Sequence, residues 1–377
     1  MRGKLPDLKL LIIAAYEGIG GAHLDKLIPS LHSMGIRLAF AGWDRSRRYP
    51  DRFAKDGVSF QMIFKGFGFE NRSVALGLPW WMIKSWFYLC KNRYDCVMAL
   101  DFGAGLPMAV ANLLTGVPYI YNIRDNFAMR KSTPKKLALL IQKLDDWVIS
   151  RAYKVIIPDE NRITGNDPLV RKKFVIVRNC AIDVSASVPA CLPSRPFTIY
   201  AMGYLTGDRG IGILLEAARR LPMIRVLLAG NLYDKMLKDR IEQAENAQYL
   251  GLLPPEEALK YCFESDLIFT YYSPDSDINL RAVSNKWSDA MMASKPILLN
   301  EEVFKSTWIK QEDIGYLCPY GDVDRLVELI DHIRSHPEEA CIKGEKGRKL
   351  YDSGYSWPAM EGRFRTLLEE FMTDHEM

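Results

Sequence analysis

Histidine is scarce in this chain, with five in 377 residues, and the five are dispersed. Cysteine occurs seven times, at positions 90, 96, 180, 191, 262, 318 and 341. The count is odd and no pair has metal-ligand spacing. These features argue against a zinc site and a disulfide framework and point to reduced thiols in a cytosol. No H-E-x-x-H, C-x-x-C, G-x-S-x-G or Walker loop occurs. That removes the signatures of zinc proteases, thiol redox enzymes, serine hydrolases of the elbow type and P-loop NTPases. No run of about 18 uncharged apolar residues exists, so no spanning helix is expected. The short run "LKLLIIAAY", residues 8–16, leads into glycines without a small-residue cleavage site, and reads as a first buried strand, not a signal peptide. Internal repeats and low-complexity tracts are absent too.

What is present is ordinary for a globular protein: 48% apolar and 25% charged residues. The length predicts two domains. A net charge of +4 hides an asymmetry. Residues 1–180 hold 28 Lys/Arg against 15 Asp/Glu, an excess of 13, while the remainder holds 22 against 31. A basic half joined to an acidic half implies that one half faces something anionic. The candidates are a membrane surface, a phosphorylated acceptor or nucleic acid. No base-stacking motif accompanies the basic residues, so nucleic acid is not expected.

Strand-length apolar runs alternate with helical patterns. In the first half the runs are 8–15, 36–41, 58–63, 95–100, 118–122, 153–157 and 174–177, with helices near 21–34, 78–92, 104–115 and 134–151. Residues 181–195, "AIDVSASVPACLPSR", read as a linker. The alternation restarts with strands near 197–201, 223–229, 266–270 and 296–299, helices near 210–220, 234–243, 254–264 and 286–293, and a final helical set from 322 to the end. This pattern predicts α/β architecture with parallel sheets covered on both faces, one per domain. Such sheets bind ligands at the C-terminal ends of their strands.

Glycines follow the first run in "GIGGAH", residues 18–23. The dinucleotide fingerprint needs a third glycine where His23 stands, and the acid about 20 residues on is only loosely matched by Asp44. A nicotinamide cofactor therefore does not fit. Four landmarks carry a different resemblance: the Gly20-Gly21 turn; "YDCVMALDFGAGLPMAVANLLTGVPYIYNIRDN", 94–126; "YAMGYLTGDRGIGILLEAARRLP", 200–222; and "SNKWSDAMMASKPIL", 284–298. Together they resemble the GT-B retaining glycosyltransferases. Within that fold the match is to the large group that builds bacterial polysaccharides and lipid-linked oligosaccharides (group 1 type). The resemblance runs through nearly the whole chain.

It implies two doubly wound Rossmann-like domains facing across a cleft. Residues 1–182 would bind acceptor and 196–354 the nucleotide sugar, with the helix 355–377 packing back on the first domain. Gly20 and Gly21 would border the donor phosphates. Asp101, Arg124 and Asp125 are polar tips directly after strands and would face the acceptor or donor sugar. Family members often carry histidine at such tips, and this chain does not. Arg209 falls where a clamp lysine is usual, just before Gly210 and a helix start, with Gly203 in the same motif. The other clamp cation is replaced by Tyr204, and Lys286 would supply it instead. Asp289 stands where an acid binds the ribose hydroxyls, and Arg281 replaces the first Glu of E-x7-E. The resemblance thus assigns Arg209, Lys286, Asp101 and Asp125 to catalysis, and Gly20, Gly21, Gly203, Gly210, Asp289 and Arg124 to the donor. Structural readings remain open beside these. The glycines suit a plain turn, Asp101 a helix cap, Asp125 an ion pair with Arg124, and Lys286 with Asp289 an i,i+3 pair.

Trp80, Trp81, Ile83, Trp86, Phe87 and Tyr88 crowd one segment with Lys84, Lys91 and Arg93 nearby. Together with the basic loop carrying Arg47 and Arg48, they predict a membrane-facing acceptor side. Core tryptophans beneath a solvated charged face are the alternative. A D-x-D at Asp275 and Asp277 is set aside as a Ser/Asp loop, so no metal and no cofactor are expected. The expectation is a cytoplasmic hexosyltransferase, peripheral at the inner face of the plasma membrane. It would move sugar from a UDP- or GDP-sugar to a saccharide or polyprenyl-linked acceptor in surface polysaccharide synthesis, with retention and without metal. A sugar-nucleotide epimerase of the same fold and a non-catalytic GT-B binding subunit are the alternatives.

Overall fold

A computed structural model describes residues 5, 8–18, 23–68, 71–124, 135–163, 167–185 and 196–376. The chain divides into two compact units, Met1–Val177 with Glu361–Met377, and Arg178–Met360.

The first unit runs β1 (Lys9–Ala14), α1 (Leu24–Ser33), β2 (Arg37–Asp44), β3 (Arg52–Lys55), β4 (Val58–Lys65), α2 (Asn71–Lys91), β5 (Cys96–Leu100), α3 (Asp101–Thr115), β6 (Tyr119–Asn122), α4 (Lys135–Arg151), β7 (Lys154–Ile157), α5 (Pro168–Arg171) and β8 (Phe174–Ile176). Its sheet has the order β3-β4-β2-β1-β5-β6-β7-β8, parallel except for β3 against β4. Central strands such as β5, "CVMAL", are buried at every residue, because helices cover both faces of a parallel sheet. One face packs α2, α3 and α4 through Trp81, Leu89, Ala104, Met108 and Val148 against Leu11, Trp43, Ala99 and Tyr121.

The second unit runs β9 (Phe197–Tyr204), α6 (Ile211–Arg220), β10 (Ile224–Asn231), α7 (Lys235–Glu242), β11 (Ala247–Gly251), α8 (Pro255–Phe263), β12 (Leu267–Thr270), α9 (Asp277–Leu280), α10 (Asn285–Met292), β13 (Ile297–Asn300), α11 (Ser306–Gln311), β14 (Gly315–Cys318), α12 (Val323–Ser335) and α13 (Pro337–Gly354). Its strands are all parallel, in the order β11-β10-β9-β12-β13-β14. The last helix, α14 (Trp357–Asp374), belongs to the first unit from Glu361 on. There Glu361 accepts from Ser30, Glu370 pairs with Lys154 at 3.0 Å, and Asp374 accepts from Tyr153.

Strands β3, β11 and β14 have no counterpart in the sequence reading, and all three are sheet edges. An edge strand buries little, so it needs no continuous apolar run; β3, "RFAK", has none. No helix among the described residues is long and apolar enough to cross a membrane.

Candidate functional site

Each sheet has one place where its winding reverses. In the first, β1 pairs with β2 on one side and β5 on the other; in the second, β9 lies between β10 and β12. The crevices at the C-terminal ends of β1/β5 and β9/β12 are therefore topological switch points, where doubly wound sheets hold ligands.

At the first switch point Asp101 follows β5 directly, with φ of 58°. Left-handed backbone is uncommon outside glycine, and aspartate is among the residues that tolerate it. The Asp101 carboxylate accepts the backbone N–H of Arg124 at 2.9 Å and its Nε at 3.1 Å, and takes a further bond from Nη2. Arg124 follows β6, and its guanidinium lies 4.6 Å from the centre of the Tyr16 ring, after β1. Beneath them Asn122 Nδ2 stands 3.5 Å from His23 Nε2. Burial, with the positive charges of Arg124 and Lys26, pushes the His23 pKa down to about 3 and keeps the ring neutral. Burial likewise raises the Tyr16 hydroxyl. A clamped guanidinium, a carboxylate and a neutral imidazole place hydrogen-bonding groups together with little net charge, a chemistry suited to hydroxyl groups. Gly20, Gly21 and Asp125 lie outside the described residues.

At the second switch point β9 ends at Gly203-Tyr204. Gly203 has φ of +98°, and a Cβ there would stand 3.1 Å from Lys286 Nζ, so glycine admits both the turn and the lysine. A short 3-10 turn, Gly207–Arg209, then leads to Gly210, whose φ of +68° starts α6. The turn is anchored: Tyr320 donates to the Gly207 carbonyl at 2.9 Å and Ser273 N–H to that of Asp208 at 2.8 Å. Arg209 Nη1 donates to Asn279 Oδ1 at 3.0 Å, and its guanidinium lies 4.5 Å from the Tyr272 ring centre. Arg209 and Lys286 line one cleft with Tyr204, Thr270 and Tyr272. Trp287 fixes α10, which carries Lys286, by donating to Thr270 at 3.1 Å. Two cations converging on one crevice, beside a helix start, can hold a diphosphate.

Tyr204 is exposed and lines the same cleft as Lys286. Asp289, one helical turn on, is half-buried and is not among the residues lining the cleft. Its charge reaches the buried Tyr200 and Cys262. Asp275 accepts from Ser273 at 2.5 Å, and Asp277 starts α9. Among the described residues no three acidic, histidine or cysteine side chains gather to hold a metal ion. Tyr272, Asn279, Tyr16 and Asn122 were not singled out from sequence. Tyr16, Asn122 and Tyr272 are signalled only by lying within two residues of a strand end, and Asn279, in α9 nine residues past β12, carries no such signal.

The acceptor-side assignments divide. Trp81 is not a surface anchor: it is 0% exposed, stacks on Trp43 at 6.0 Å and donates to the Gly103 carbonyl at 2.7 Å. Consecutive helical residues point about 100° apart, so Trp81 faces the sheet while Trp80 is 58% exposed. Lys84, Arg47 and Arg48 are exposed. Asp44 has a structural use. Its buried carboxylate accepts the N–H groups of Arg48 and Tyr49, at 3.1 and 2.9 Å, and so caps the basic loop.

No family model matches the chain. Amylovoran biosynthesis glycosyltransferase AmsK of Erwinia amylovora is 23% identical over 145 residues, 36% of this chain and 35% of that protein. The chain thus matches about a third of the length of that curated relative. Solved structures are similar over nearly the whole chain. Sucrose-phosphate synthase of Thermosynechococcus elongatus has a TM-score of 0.79 at 14% identity, covering 97% of this chain and 99% of that one. Anabaena HepE, solved with UDP and glucose, has 0.68 at 16%, covering 96% and 100%. Trehalose 6-phosphate synthase of Burkholderia multivorans has 0.69 at 12%, covering 99% and 100%. The chain has the GT-B fold of these glycosyltransferases.

Proposed function

We propose that the protein is a glycosyltransferase that uses a UDP-sugar. The observation that carries this is the convergence of Arg209 and Lys286 on the β9/β12 switch point of a GT-B chain. The two cations bind the diphosphate and stabilise it as it departs, which is the largest electrostatic demand of the reaction. Gly203 and Gly210 let the backbone approach the phosphates, and Asp289, which does not line this cleft, is assigned to the ribose by resemblance. Asp101 and Arg124 meet the hydroxyls of acceptor or donor sugar, with Gly20, Gly21 and Asp125 assigned to the same region by resemblance. UDP is favoured over GDP because the similar Anabaena protein was solved with UDP and glucose.

The acceptor is a saccharide or a polyprenyl-linked sugar in surface polysaccharide assembly, a reading supported by the amylovoran biosynthesis relative. Transfer retains configuration, needs no metal and takes place at the inner face of the plasma membrane.

A melting-curve screen against UDP, GDP and their sugars tests this reading. A ligand at about 100 times its Kd stabilises the folded state by about 2.7 kcal/mol. UDP or a UDP-sugar should raise Tm more than GDP does, and release of UDP with a saccharide acceptor should survive EDTA. No shift with any nucleotide would overturn the reading. Loss of activity in EDTA, restored by Mn²⁺, would overturn its metal-free part.

A further inference from the structure

Exposed apolar surface is concentrated in one layer of the first unit. Among the described residues, ten of the twenty exposed large apolar side chains belong to α2, α3 and α4. These helices cover the same face of the sheet, with α3 packed against both neighbours. On α2, Leu76, Trp80, Ile83 and Phe87 are between 47% and 70% exposed. Their spacing of four, three and four residues makes a stripe along one side of the helix. Leu113 and Leu114 of α3, and Leu139 and Leu140 of α4, add side chains 54% to 69% exposed. Monomers rarely leave extensive apolar surface to water, and half of the exposed large apolar side chains among the described residues fall on this one layer.

Charge identifies what covers it. The 21 residues of α2 include no Asp or Glu, and its Lys84 and Lys91 are exposed. On α4, Lys136 and Lys143 are exposed, while Asp145 is buried and accepts from Tyr121 at 2.5 Å. The acid of α3, Asp101, is paired with Arg124. Asp146 is the exposed carboxylate of the layer. A second copy docked here would bring lysines against lysines, which opposes self-association. An anionic bilayer surface instead attracts the lysines and accepts the apolar side chains at its headgroup boundary.

We propose that the outer face of α2, α3 and α4 is a membrane-docking surface for anionic lipid, inserted in the plane of one leaflet. The surface names the partner behind the membrane setting proposed above and rests on that setting, not on the sugar chemistry. It moves the contact away from Trp81, which is core, and from the Arg47–Arg48 loop. Its carrying interaction is apolar insertion by a stripe read from burial.

Co-sedimentation of the full chain with vesicles tests it, using equal parts phosphatidylcholine and phosphatidylglycerol against phosphatidylcholine alone. The anionic vesicles should recover the protein, and high salt should weaken recovery without abolishing it. Trp80→Ser with Phe87→Ser, and separately Leu113→Gln with Leu114→Gln, should each lower partitioning about tenfold or more, equal to about 1.4 kcal/mol or more. Lys84→Gln and Lys91→Gln should cost about fivefold each at low salt only. These side chains are exposed, so Tm should hold. Failure of both vesicles to recover the wild type at low salt overturns the proposal. So does binding lost with Arg47→Gln and Arg48→Gln but indifferent to the α2 and α3 changes. A dimer in sedimentation that the same apolar substitutions break would assign the face to a second copy. The UDP melting shift, measured on the same samples, separates the two readings: a shift without vesicle recovery sinks the docking face alone, and recovery without a shift sinks the donor reading alone.

Discussion

At the first switch point Arg124 is committed to Asp101, bonded through backbone and guanidinium together. At the second, Arg209 is held by the amide of Asn279 and the ring of Tyr272, which are neutral, and shares its cleft with Lys286. Yet most of the first unit, residues 1–177, lies in the strongly basic half of the chain. The positive charge of a region and that of its crevice are therefore different quantities. Much of the basic excess is on outward positions such as Arg47, Arg48, Lys84 and Lys91, while at the switch point of the same unit Arg124 is neutralised by Asp101. The two cations proposed to meet a diphosphate belong to the acidic half.

The comparison breaks most visibly at a pair of neighbours. Trp81→Ala should cost about 3–5 kcal/mol by leaving a cavity under α2, whereas Trp80→Ala should stay within about 0.5 kcal/mol. Denaturant melts of the two variants decide this, and equal losses would mean that α2 is rotated from the orientation described.

Arg209→Ala should slow sugar transfer by about 10²-fold or more, roughly 2.7 kcal/mol, with Tm nearly unchanged. An unaltered rate would show that the second crevice does not hold the leaving group. Asp101→Ala should instead act on stability. It removes the partner of Arg124 and puts alanine at a positive φ, together costing about 2 kcal/mol or more. Asp101→Asn tolerates that backbone and should lose less. If both leave Tm intact, the pair is not a structural clamp.

His23 sharpens the comparison through pH. Its folded-state pKa, about 3, is depressed below the ordinary histidine value of about 6.5. The unfolded chain then binds more protons between those values, so stability is fully present above about pH 6.5 and is lost as pH falls toward 3. Melting curves of His23→Asn should show a shallower acid slope than wild type. Parallel slopes would place the acid sensitivity elsewhere. The smallest effect is expected of Asp289→Asn. It should weaken UDP binding by up to about tenfold with little change in the chemical step, because ribose contacts are similar in ground and transition states. Titration calorimetry reads the first quantity and saturating turnover the second.

Much of the fold is legible because buried parallel strands leave continuous apolar runs. β1, β5, β9 and β13 are each plain in the sequence for that reason. The edge strands β3, β11 and β14 bury too little to leave such a run. Site residues divide similarly. Arg209, Gly210 and Lys286 stand in local patterns of glycine, cation and helix start. By contrast Tyr272 and Asn279, which hold Arg209, are ordinary residues until the sheet brings them near it.

The sequence by itself determined two α/β units, their parallel strands and where the polar tips fall, since periodicity and strand ends are local properties. Only the tertiary structure decided that Arg124 answers Asp101 across 23 positions, that His23 is buried neutral, and that Trp81 is core while Trp80 is surface. Burial and charge pairing depend on what distant segments bring alongside a residue, and that is a property of the packed sheet and not of any stretch of chain.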